Sequence, residues 1–143
     1  MQSQEVERID IESNEDVVRV RRAVRTAAAS IGFGHTDQVR LVTAASELAR
    51  NIQLHAGKGA VEIRLIENAS RRGVQIVFDD QGGGIPDVGR AMSDGFTSGG
   101  GLGKGLPGAR RLVDDFEIES EVGRGTSVRI AKWLGTRKVK SEE

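Results

Sequence analysis

Hydrophobic positions along the chain follow two periods, and the changes between them mark out the elements. Val6-Glu7-Arg8-Ile9-Asp10-Ile11 is short and apolar at intervals, which predicts a modest strand. Val17, Val20, Ala23, Val24, Ala27, Ala28 and Ile31 then recur at three and four residues, a helical stripe from about Glu15 to Ile31 with Asn14 as its cap. Gly32-Phe33-Gly34 stops it. A second helix is expected from an N-cap at Thr36, with Asp37 set against the dipole of its first turn, to about His55. Its apolar positions are Val39, Val42, Ala45, Leu48, Ala49 and Ile52, and Gly57 ends it.

Strict alternation takes over at Ala60-Val61-Glu62-Ile63-Arg64-Leu65-Ile66, a strand with one wet face. After a polar turn over residues 68–73, Val74-Gln75-Ile76-Val77-Phe78-Asp79 returns as its antiparallel partner. Residues 86–94 predict a short helix, and 95–105 are too rich in glycine for regular structure. A third helix is expected from about Leu106 to Phe116, with Pro107 in its first turn and Ala109, Leu112, Val113 and Phe116 on one side. A second hairpin, 117–122 with 126–134, turns around Gly123-Arg124-Gly125. This order predicts an α/β two-layer sandwich, a mixed and mostly antiparallel sheet with helices on one face. One domain over 1–135 and a charged, flexible tail at 136–143 complete the expectation.

Composition removes several functions. The 21 Lys+Arg balance 21 Asp+Glu, so a broad electrostatic grip on nucleic acid is not expected. Aromatic residues make up 3% of the chain, too few for a base-stacking platform. The absence of Cys excludes disulfides, thiolate metal sites and a Cys nucleophile. Residues 5–12 are charged where a signal peptide is apolar, and no apolar run approaches the roughly 18 residues of a membrane span. A cytoplasmic protein without membrane or nucleic-acid partners is expected.

Glycine placement carries the chemistry. Eleven of the 19 glycines fall between Gly82 and Gly108. A flexible surface loop would account for such a stretch in isolation. Here a helix starts directly after it, the arrangement in which backbone N–H groups and a helix N-terminus meet a polyphosphate. The Walker pattern fails, because Lys104 is followed by Gly105 rather than Ser or Thr. The dinucleotide spacing of Gly103-Lys104-Gly105-Leu106-Pro107-Gly108 lacks the strand that must precede it. Three further elements matter. Glu47 and Asn51 lie four apart on one helix face. Asp80-Gln81-Gly82-Gly83-Gly84 puts a carboxylate at a strand end beside bare backbone, and Gly123-Arg124-Gly125-Thr126 brings a hydroxyl to a hairpin tip. Singly these are a solvated helix face, a turn and a hairpin. In this order, with a glycine-rich segment between the second and third, chance explains them poorly and a phosphate-binding site is expected.

The same residues resemble the GHKL (Bergerat-fold) ATP-binding superfamily. Glu47-Leu48-Ala49-Arg50-Asn51 is similar to its N-box, Asp80-Gln81-Gly82-Gly83-Gly84 to its G1 box, residues 99–106 to its G2 lid, and Gly125-Thr126 to its last box. More narrowly, Ser46-Glu47-Leu48-Ala49-Arg50-Asn51-Ile52, Ala56-Gly57-Lys58-Gly59, Asp94-Gly95-Phe96 and Gly105-Leu106-Pro107-Gly108 resemble the RsbT-type switch kinases, small bacterial serine/threonine kinases of partner-switching and stressosome systems. The resemblance spans roughly residues 5–134 and implies ATP held between helices and a mixed sheet. It implies that Asp80 accepts a hydrogen bond from the adenine amino group, that Gly82 and Gly84 pass close to the base, and that Thr126 completes the adenine pocket. Asn51 offers an uncharged oxygen to Mg²⁺. Glu47 is the general base for an attacking hydroxyl. Gly101, Gly103 and Gly105 belong to the phosphate lid, and Lys104 contacts the γ-phosphate.

The implied activity is an ATP-dependent protein serine/threonine kinase. Its substrate would be a STAS-domain antagonist or scaffold protein, and its effector a PP2C-type phosphatase. Three other readings remain: an anti-sigma factor kinase that sequesters a sigma factor, with homodimerisation as in those relatives; a histidine-kinase catalytic domain; and a non-catalytic ATP-binding interaction module. The histidine-kinase reading is the weakest, because His35 and His55 leave no room for a phosphoacceptor helical hairpin.

Overall fold

Alternation along each strand decides which face of the sheet carries the core. In the computed structural model, which describes residues 2–85, 88–92 and 105–134, the strands are β1 (Gln2–Ile11), β2 (Gly59–Asn68), β3 (Arg71–Asp80), β4 (Asp115–Glu121) and β5 (Gly125–Trp133). They form one sheet in the order β1-β2-β3-β5-β4. Ile9, Val61, Phe78 and Val128 lie side by side across four strands, and Ile63, Ile76 and Ile130 make the next row. All seven are buried. Helices α1 (Asn14–Ser30) and α2 (His35–Asn51) cover this face with Val17, Val20, Val24, Leu41, Ala45 and Leu48. The opposite face is mostly polar, apart from a small cluster of Ile66, Ala131 and Trp133. Arg71 stacks over the Trp133 ring at 4.3 Å. None of the described helices is long and apolar enough to cross a membrane.

The two-layer sandwich is as expected, with one refinement. All four strand pairings are antiparallel, so the sheet has no parallel component among the described residues. The reason is topological. Two antiparallel helices return the chain to the side it left, so β2 runs against β1, and the second hairpin docks β5 rather than β4 beside β3.

Several boundaries move. β1 starts four residues earlier than expected and carries a bulge at Val6, which leaves that side chain exposed. Ser13, not Asn14, caps α1: one carboxylate oxygen of Asp16 accepts the backbone N–H groups of Glu12 and Ser13 at 2.9 and 3.1 Å. α2 begins at His35 with Gly34 as N-cap rather than Thr36. The polar turn shrinks to Ala69-Ser70, because β2 and β3 continue pairing out to Asn68 and Arg71. The expected helix over 86–94 is described only as α3 (Val88–Ala91). The third helix, α4 (Leu106–Arg111), is much shorter than expected; Phe116 belongs to β4, opposite Ile130. The tail at 136–143 lies outside the described residues.

Candidate functional site

Five segments meet at the end of the sheet where β3 stops and β5 starts. The last turn of α2 brings Leu48 and Asn51, followed by Ile52. β3 supplies Phe78 and Asp80, β5 supplies Thr126 and Val128, and Ile85 and Leu106 complete the lining of a narrow pocket. Its walls are apolar, and its polar groups are Asn51, Asp80 and Thr126. That is the composition of a small-molecule site: hydrophobic surface for affinity, a few polar groups for orientation.

Asp80 is fixed by backbone. Its Oδ1 accepts the N–H groups of Gly82 at 2.9 Å and Thr126 at 3.1 Å. Its Oδ2 takes part in no hydrogen bond among the described residues and is the acceptor left for a ligand. The turn after Asp80 is tied down on both sides, by Gln81 N–H to the Lys58 carbonyl at 3.4 Å and by Gly123 N–H to the Gly83 carbonyl at 3.0 Å. A side chain at Gly82 would meet Cβ of Ala56 at 2.8 Å. Gly84, at φ +80°, would direct a Cβ onto the Glu121 carbonyl. Both glycines therefore answer first to the protein's own close packing.

Glu47 is exposed on α2 one turn before Asn51, outside the pocket lining. It meets the start of α4. Gly105 caps that helix at φ +85°, and a Cβ there would lie 2.7 Å from Oε1 of Glu47. Any side chain at residue 105 would displace the carboxylate. Gly101, Gly103 and Lys104 lie outside the described residues. The shifted carboxyls sit away from this site. Asp16 is held below its usual range by the N–H of Glu12, and on the outer sheet face a shared hydrogen bond raises Glu5 and lowers Glu62.

Residues 36–136 match the model of the family described as histidine kinase-, DNA gyrase B-, and HSP90-like ATPase. The chain belongs to this ATPase family. Within that company it is 49% identical over 119 residues to the serine/threonine-protein kinase RsbT of Bacillus subtilis (strain 168), covering 83% of this chain and 90% of that one. It is 31% identical over 121 residues to an anti-sigma F factor of Caldanaerobacter subterraneus subsp. tengcongensis, covering 80% of this chain and 83% of that one. A crystal structure of the RsbU and RsbW domains of a Mycobacterium tuberculosis protein shares the fold, with a TM-score of 0.57 and 19% identity over 89% of this chain and 32% of that one. By family and by its RsbT relative, the chain is an ATP-binding protein serine/threonine kinase.

Two features of the site escape the sequence pattern. α2 passes into a π turn, Ile52–Ala56, before Gly57 closes it in the left-handed conformation at φ +80°. No change of residue type announces that wider turn. Ser120 is the other. Its Oγ accepts the Ile85 N–H at 2.6 Å, donates to the Gly125 carbonyl at 3.2 Å and lies 2.8 Å from Oγ1 of Thr126. A signal for it existed: Phe116, Ile118 and Ser120 alternate, so a hydroxyl occupies the third core-facing position of β4.

Proposed function

We propose that this kinase transfers the γ-phosphoryl group of ATP to a serine or threonine of a STAS-domain partner in a bacterial partner-switching module, and is then released to activate a PP2C-type phosphatase. The observation that carries the reading is the meeting of Asp80, Thr126 and Asn51 around one apolar slot, with Glu47 one turn away against Gly105. Asp80 Oδ2 accepts from the exocyclic amino group of adenine; guanine's keto oxygen would bring a second acceptor to the same place. Thr126 completes that polar end. Gly82 and Gly84 keep the backbone beside the base clear, and Gly101, Gly103, Lys104 and Gly105 cover the phosphates.

The donor set fits magnesium brought in by the triphosphate. Among the described residues no group of three or more acidic or His side chains could hold a metal ion unaided. Mg²⁺ in phosphate chemistry keeps water and phosphate oxygens and needs only one or two protein ligands, here the Asn51 amide oxygen. Bound there, it would neutralise charge on the phosphates. Glu47 takes the proton of the attacking hydroxyl. Positioning and charge neutralisation supply most of the catalysis in phosphoryl transfer, so a single base suffices. Such partners put the kinase in the cytoplasm.

The anti-sigma F factor relative favours a second reading, an anti-sigma factor kinase that binds and sequesters a sigma factor. One experiment separates them: the protein is incubated with ATP-Mg²⁺ and either a STAS-domain protein or a sigma factor. Phosphoserine or phosphothreonine on the STAS protein, abolished by Glu47→Gln, is the expected result. No transfer, with stable capture of the sigma factor, overturns it in favour of the second reading.

A further inference from the structure

Ser120 has one proton to give and two lone pairs to receive with, and its three neighbours use all of them. The Ile85 N–H is a donor only, so it takes one lone pair, at 2.6 Å. The Gly125 carbonyl is an acceptor only, so it takes the Ser120 proton, at 3.2 Å. What remains for Thr126, 2.8 Å away, is the second lone pair. With the Ser120 proton on the Gly125 carbonyl, the Thr126 hydroxyl is the donor in the 2.8 Å contact, and only lone pairs of Thr126 Oγ1 are left for the pocket. Asp80 acts in the same sense, since its Oδ1 is occupied by the Gly82 and Thr126 N–H groups and its Oδ2 is an acceptor.

We infer that Ser120 is a specificity-determining positioning residue: it locks Thr126 as an acceptor, so that the Asp80–Thr126 end of the pocket accepts hydrogen bonds and donates none. An end of that kind takes a ligand edge bearing N–H donors. The exocyclic amino group of adenine has two, whereas at the same place a keto oxygen meets only acceptors, the keto purine's donor on that edge being its ring N1–H. The inference rests on the reading of this pocket as the adenine site. It adds to that reading a residue outside the boxed motifs, on a different strand from Asp80 and Thr126, that sets the sense of their hydrogen bonds.

The test is the ratio of dissociation constants for IDP and ADP, the 6-keto and 6-amino purine diphosphates, measured by calorimetry with Mg²⁺. The wild-type protein prefers ADP. Ser120→Ala frees the Thr126 proton to turn toward a keto oxygen, so the ratio falls about tenfold, mainly through tighter IDP binding. Ser120→Thr retains the hydroxyl and restores the ratio. A purely structural role for Ser120 weakens both ligands equally; an unchanged or widened ratio overturns the inference. Thr126→Val gives an independent sign. Loss of an acceptor weakens ADP and 1-deaza-ADP, which keeps the 6-amino group and lacks the N1 lone pair, equally, whereas loss of a donor weakens ADP alone and also overturns the inference, even if Ser120→Ala does not fold. Failure of the underlying reading looks different: the wild-type protein then has no preference for ADP, and Asp80→Asn changes nothing.

Discussion

Asp80 spends one oxygen on the backbone N–H groups of Gly82 and Thr126 and keeps the other without a hydrogen bond among the described residues, so its two oxygens are open to separate tasks. A change to Asn keeps the shape but offers an amide whose N–H₂ would face another donor if its oxygen stayed with the backbone. Glu47 stands apart from the lining, which makes it separable from nucleotide binding. Glu47→Gln is expected to leave the ATP dissociation constant within about threefold while phosphotransfer falls by about 10²–10⁴, the usual contribution of a general base. Filter binding and phosphate incorporation, measured on one preparation, check that split. The pocket's polar side chains were legible in the sequence as Asn51 four residues after Glu47, Asp80 at a strand end beside glycines and Thr126 at a hairpin tip. Ser120 was legible only as a position in phase with Phe116 and Ile118; its partners across the pocket are apparent only once β4 is paired with β5.

Between residue and fold, element ends are set by hydrogen bonds that periodicity does not report. Leu112, Val113 and Phe116 satisfy a helical spacing, yet α4 stops at Arg111, because Phe116 gains more by packing beside Ile130 in the sheet. Likewise α2 was legible almost to its end, while the π turn beyond Asn51 leaves the apolar pattern intact and is invisible to it. At the other end of the helical layer, Asp16 caps α1 as a carboxylate, held below its usual range chiefly by the Glu12 N–H. A depressed folded-state value contributes stability above the unfolded value of 3.8, and that contribution is lost as pH falls through the folded value. Asp16→Asn is therefore expected to lower the melting temperature at pH 7 and to match the wild-type protein once pH has dropped well below 3.8. A gap of constant size across a pH series would contradict this. β5 is joined to α2 by Lys132, whose side chain is 9% exposed and lies 3.6 Å from Asp37, itself 41% exposed. Removing only the acid strands a buried ammonium, so Asp37→Ala is expected to destabilise by about 1–3 kcal/mol, whereas Lys132→Met is expected to be neutral or stabilising. Denaturant unfolding of both variants distinguishes the two outcomes.

For the whole molecule, the local pattern gave the number and type of elements, and their order excluded a βαβ fold. It did not give the strand order. Placing β5 beside β3 depends on rows such as Phe78 with Val128 and Ile76 with Ile130, contacts some fifty residues apart that no window along the chain contains. That placement builds the site, since it sets Thr126 against Asp80 and lets a hairpin tip, a strand end and a helix terminus share one slot. Nucleotide and fold are coupled as a result. ATP-Mg²⁺ at one hundred times its dissociation constant is expected to stabilise the protein by about 2.7 kcal/mol, seen as a rise in melting temperature that Asp80→Asn suppresses. The most direct measurement is a calorimetric titration of ATP, in millimolar Mg²⁺, into the wild-type protein and the Asp80→Asn variant. The account predicts one site per chain in the wild type and binding weakened by about ten- to one-hundredfold in a folded variant; equal affinity in the two, or no heat in either, would contradict it.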